Sequence, residues 1–183
     1  IEEITTSAAD DVNTMVTNKI TVGIDDNWNV TLSDTSLSAA EVKTINAGTS
    51  GTIDMSDAST ITSSLVDDVL EIVNNTGANF TTATDYAVTL SDTASAANAN
   101  TILGDTTGIV TGIVTATGAV SALNTALSNA TPTDALTMTL NATAASASDL
   151  NLLDSKTSVD INSASIEEIT TSAADDVNTM VTN

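Results

Sequence analysis

Residues 1–18 read IEEITTSAADDVNTMVTN, and residues 166–183 repeat them letter for letter. An exact copy at an offset of 165 residues constrains the fold more than any local propensity. A period that long marks a chain built from stacked supersecondary units, each of which buries its apolar side only against its neighbours. The expectation is therefore a repeat architecture, with residues 1–165 forming one full period and residues 166–183 starting the next. On that reading the segment is one period of a longer array, joined end to end to further copies of itself.

A looser unit recurs inside the period. A Ser is followed three residues later by an acid in SAAD at Ser7, SAAE at Ser38, SLVD at Ser64, SASD at Ser146 and SAAD at Ser172. Ser95 opens a variant in which Asn98 stands for the acid. This is capping-box spacing, so each Ser is expected to start a short helix by accepting from the third backbone N–H. Between these marks lie runs of period-two alternation rich in Ile, Val and Thr: KITVGI from Lys19, GTIDMS from Gly51, NFTTAT from Asn79, GIVTGIV from Gly108, DALTMTL from Asp134 and SVDINSA from Ser158. Such runs predict strands. VTLSDT occurs at both Val30 and Val88, and ITSS at Ile61 adds a weaker second strand. The predicted fold is a β-solenoid of about six coils of roughly 27 residues, each with short strands and a short capped helix on one face.

Composition then removes function classes. There are three Lys+Arg against 24 Asp+Glu, for a net charge of -21, with no His and no Cys. Lys19, Lys43 and Lys156 are too few to displace counterions from phosphates, so nucleic acid and anionic membranes are not expected partners. Without imidazole or thiolate, no abundant Ser has an evident activating base, and an enzyme is not expected. No apolar run reaches the length that spans a bilayer, so membrane insertion is not expected either. Hydrophobic residues at 41 % are too many for a disordered acidic tail, while aromatics at 2 % leave the core to Ile, Val, Leu and Ala.

Acidic pairs raise the question of calcium, which takes six to eight oxygen ligands. GIDDNWN from Gly23 is the loop best suited, with Asp25, Asp26 and Asn27 as the expected ligands. The competing role for Asp10 and Asp67 is helix capping. Asp34 and Asp92, in the two VTLSDT copies, are expected to fold their own turns. Asn-X-Ser/Thr sequons at Asn29, Asn74, Asn79, Asn129 and Asn141 are about as many as chance gives in so Asn- and Thr-rich a chain, and glycans are an expectation only for an exported protein.

The stretch Val30 to Ser64, VTLSDTSLSAAEVKTINAGTSGTIDMSDASTITSS, resembles the tandem repeats of very large secreted bacterial surface and fibril proteins, those of cyanobacteria especially. The resemblance implies an extracellular or cell-surface structural role, as a repeat module of a filament, sheath or surface layer. Its alternative is a rigid, calcium-stiffened stalk of a cell-surface adhesin. The glycine-rich calcium nonapeptide of one solenoid class is absent, so that mechanism does not carry over.

Overall fold

A computed structural model describes residues 3–18 and 26–182. Its elements run β1 Glu3–Ser7, α1 Ala9–Thr17, β2 Asn29–Leu32, β3 Ser36–Ser38, α2 Ala39–Gly48, β4 Ile53–Met55, β5 Thr60–Ser64, α3 Val66–Val73, β6 Phe80–Thr82, β7 Ala87–Ser95 and α4 Ala96–Asp105. They continue as β8 Val110–Ala116, α5 Val120–Ala126, β9 Ala135–Leu140, β10 Ala144–Ala145, α6 Ala147–Asp154, β11 Glu168–Ile169 and α7 Ala174–Thr182.

The predicted β-solenoid is corrected. The chain is an α/β fold with parallel sheets of four and five strands and seven helices among the described residues, not a β-solenoid of repeated coils. The difference lies in the helices. Capping-box spacing predicts them as short decorations of a strand-built wall, whereas they run seven to ten residues and pack on one another, α1 on α2 and α2 on α3. Parallel partners require long crossovers, and the helices lie within them: α2 falls between the partners β2 and β4 and between β3 and β5, and α3 between β4 and β6 and between β5 and β7.

By internal contacts the chain divides into two units, Ile1–Asp92 with Asp105–Ile109, and Thr93–Gly104 with Val110–Asn183. In the first, β1-β2-β4-β6 form the four-stranded parallel sheet. Its register aligns Ile4, Val30, Ile53 and Phe80 in one apolar row. β3, β5 and β7 pair in parallel in that order, and there Leu37, Ile61 and Val88 align. Alternation explains why: in β2 Val30 and Leu32 are buried, in β4 Ile53 and Met55. The helices bury an i, i+3 stripe, Ala39, Val42 and Ile45 in α2 and Val66, Val69 and Ile72 in α3.

In the second unit β8 and β9 pair in parallel over six residues, with Val114 beside Met138 and Ala116 beside Leu140. β10 and β11 form a separate two-stranded parallel sheet, and α6 packs against both α5 and α7. The strand expected from Ser158 is reduced to a single bridge from Asn162 to Thr139. The one expected from Lys19 lies outside the described residues.

Candidate functional site: joints between successive segments

Helix N-termini expose backbone N–H groups that need acceptors. The local capping box appears at Ser146, whose hydroxyl accepts from Asp149 N–H at 3.1 Å and donates to the Asp149 carboxylate at 2.8 Å. Ser95 also accepts locally, from Asn98 N–H at 3.1 Å. At α1, α2 and α3, by contrast, the acceptor comes from a residue 25 or 26 positions later. Asp34 accepts from Ala9 N–H at 2.7 Å, Ser64 from Ala39 N–H at 2.9 Å, and Asp92 from Val66 N–H at 2.8 Å. Ser172 does the same for Ala147 N–H at 2.8 Å. Thus Ser64 and Ser172 cap the preceding segment's helix, and Asp34 and Asp92 cap helices instead of folding their own turns.

A second joint recurs at three corners that the sequence shows only as small-polar turns. Thr49, Thr106 and Thr157 are each buried, and each hydroxyl donates to a carbonyl of the preceding segment: Trp28 at 2.5 Å, Tyr86 at 2.6 Å and Leu136 at 3.0 Å. The same hydroxyl accepts from the N–H two residues on, at Gly51 and Gly108 (3.0 Å) and at Val159 (3.3 Å). The next residue adds its backbone N–H to a carbonyl of that same segment, Ser50 to Asp26, Thr107 to Thr84 and Ser158 to Asp134. The signal that could have found these corners is T-[S/T] at 49, 106 and 157, followed twice by Gly.

Two of the expected calcium ligands, Asp26 and Asn27, fall at the first corner. Asp25 lies outside the described residues, and Asp26 and Asn27 are exposed turn residues. The Asp26 carbonyl is engaged by Ser50, through N–H at 2.7 Å and hydroxyl at 3.1 Å. At the equivalent position of the third corner, the Asp134 carboxylate accepts from Val110 N–H, Thr131 N–H and the Thr131 hydroxyl at 2.8–2.9 Å. Among the described residues no group of three His, Cys, Asp or Glu side chains is placed to hold a metal ion.

Charge pairing is sparse among the described residues. Lys43 meets Asp68 at 2.6 Å, and the Lys156 ammonium donates to the Leu127 carbonyl at 3.0 Å. Partial burial, and next the adjacent Asp10, raise the Glu41 carboxyl above its ordinary value. The folded state thus binds the extra proton, and stability falls as pH rises from the unfolded value through the raised one. We expect Glu41→Gln to flatten that slope and to gain, after solvent screening, no more than about 0.5 kcal/mol at neutral pH, read from melting curves across acid pH.

Tyr86 is 1 % exposed and its hydroxyl donates to Asp105 at 2.6 Å, which also accepts from Thr76 at 3.2 Å. Burial, then the bond to and charge of Asp105, push the phenol far above its ordinary value. Its contribution is intact below about pH 10 and declines above it. Since the chain has one Tyr, an ultraviolet titration reports this group alone. It should stay silent until the protein unfolds in alkali, and Tyr86→Phe should cost about 1–2 kcal/mol.

An open cleft of about 270 Å³ in the second unit is lined by Leu150, Asn151, Asp154, Asp160, Ile161 and Met180, among others. No helix among the described residues is long and apolar enough to cross a membrane. Comparison with known protein families, with curated proteins and with solved structures finds no match to this chain.

Proposed function

We propose that the chain is a structural repeat module of a long extracellular protein that forms a filament, sheath or surface layer. The observation that carries this reading is the transfer of backbone caps from one segment to the helix about 25 residues before it. Helices α1, α2, α3 and α6 are each completed by a later segment, so their order depends on nearest-neighbour terms. A chain so made resists extension because separating two segments breaks ladder bonds, helix caps and corner bonds together.

The exterior fits the same role. A net charge of -21 keeps neighbouring modules soluble and apart, and divalent cations would moderate that repulsion by screening. The likeness of residues 30–64 to secreted surface repeats supports the location outside the cell. Immunogold electron microscopy of the source cells, with antibody raised against the full chain, tests the proposal. Label repeated along extracellular filaments or a continuous layer is the expected result. Label on separate stalks fixed to the cell would replace it with the adhesin reading, and label confined to the cytoplasm would overturn both.

A further inference from the structure

Charge is spread unevenly along the chain. Residues 93–148 contain two charged side chains, Asp105 and Asp134, whereas the 183 residues together hold 24 Asp+Glu and three Lys+Arg. Within the second unit, Asp134 is 2 % exposed and its carboxylate is spent on Val110 and Thr131. Thr93–Gly104 and Val110–Ser148 therefore turn no charged side chain to solvent.

One regular part of that surface is the outer side of β8 and β9. Their register runs unbroken over six residues and sets Thr111 beside Ala135, Ile113 beside Thr137 and Thr115 beside Thr139. Val110, Val114 and Ala116 are buried, as are Leu136, Met138 and Leu140, so alternation sends the other row outward. That row is exposed except at half-buried Ala135, and Ile113 is 54 % exposed. In the first unit the corresponding kind of row, Thr31, Asp54 and Thr81, has an acid at its centre. The uncharged strip ends at exposed Asp160, two residues before the Asn162 that bridges to Thr139.

We infer that the outer face of β8 and β9 is a lateral contact between copies of this chain, the strip of one copy lying on the same strip of another. Charge selects the occupant. At a net charge of -21, two copies that meet on acidic surface set like charges against one another, whereas on this strip they set Thr and Ile against Thr and Ile. A cationic partner would find its counter-charges elsewhere, at Asp10 and Asp11 of α1 or Asp67 of α3. A face used symmetrically serves both copies at once. This contact runs side by side and involves neither end of the chain. Its strength rests on the structural-module reading. Two strands offer much less than the roughly 800 Å² per partner of a stable interface, so one strip holds weakly and a row of strips, one per period, holds by repetition.

Trapping makes a weak contact visible. The chain has no Cys, so a single introduced Cys reports encounters at its own position. Full chains carrying Ile113→Cys, Thr137→Cys or Thr139→Cys are oxidised at about 0.5 M NaCl, where exposed charges are screened beyond about 5 Å. Thr125→Cys and Thr81→Cys are the controls: Thr125 is exposed on α5 in the same uncharged stretch but off the strip, and Thr81 is exposed on β6. Disulfide dimers are expected about tenfold faster at one or more strip positions than at either control, through the raised local concentration of the two thiols. Adding Thr115→Asp to Thr137→Cys should return the rate to the control level, and Ile113→Asp in the same background should do so by a second route. Circular dichroism matching the unaltered chain establishes that each variant is folded. Equal rates at the strip and at Thr125 overturn the contact, as does dimerisation that both Asp variants leave untouched. Dimers at the control rate, with retention of the unaltered chain on neutral agarose that Ile113→Asp abolishes, would give the strip to a neutral glycan instead. The two proposals fail separately. Extracellular filaments in the immunogold experiment keep the module reading when the strip fails, and cytoplasmic label removes that reading while strip dimers stand.

Discussion

Asp134→Ala should lower stability by about 3–4 kcal/mol, a fall in Tm on the order of 10 °C for a chain of this size. Asp134 is 2 % exposed, and its carboxylate accepts from the Val110 N–H, the Thr131 N–H and the Thr131 hydroxyl. Val110 is itself fully buried at the start of β8, so its N–H finds no water when the acceptor is removed. The cost is that of a stranded donor, not of a lost contact. Asp134→Asn, which keeps an acceptor oxygen but turns two hydrogens toward other donors, should fall between. Hydrogen exchange locates the effect: protection of the Val110 amide should collapse first, and an unchanged amide there would show that the carboxylate does not hold the strand.

How much of this is legible in the sequence depends on whether the relevant contact is local. The strands from Gly51, Asn79, Gly108 and Asp134 are readable because alternation is a local property that burial preserves: β9 buries Leu136, Met138 and Leu140 and exposes Thr137 and Thr139. The strand from Ser158 is not, because its partner row thins to one bridge. The capping serines show the limit most clearly. Ser7 and Ser172 sit in identical sequence, and Ser172 caps Ala147, in a helix that begins 25 residues earlier. Capping-box spacing gives the same letters whether the hydroxyl serves its own helix or a neighbour's. The architecture is misread for a related reason. Sequence period places most strands, but it says nothing about whether the intervening helix is an ornament or a packing layer. Helix-on-helix packing decides that, through stripes such as Val66, Val69 and Ile72. The calcium loop stands out in the sequence for oxygen density alone, while the observed demand on those oxygens comes from backbone N–H groups and hydroxyls at the corners.

Gly108→Ala is the second large effect, and it separates space from backbone conformation as the reason for a glycine. A Cβ there would overlap both the Asp85 and the Tyr86 carbonyl oxygens. The Tyr86 carbonyl is held by the Thr106 hydroxyl and both oxygens belong to backbone, so neither can swing away as a flexible side chain would. The corner must open, at a cost of about 3 kcal/mol, the upper end for overpacking. Gly51→Ala should match it, since its Cβ would overlap the Trp28 carbonyl. Gly77 is the control, with φ at +77° and nothing within 4 Å of where a methyl would sit, so Gly77→Ala carries only left-handed backbone strain of about 1 kcal/mol. The third corner supplies the natural counterpart. Val159 stands where Gly51 and Gly108 stand, and its N–H reaches the Thr157 hydroxyl at 3.3 Å instead of 3.0 Å. The same hydroxyl bridge thus forms with Val in the glycine's place. Denaturant melts that rank Gly51→Ala and Gly108→Ala well below Gly77→Ala would establish close backbone approach as the basis of the joint; the reverse order would place the constraint in φ and remove close approach as the reason for glycine at the corners.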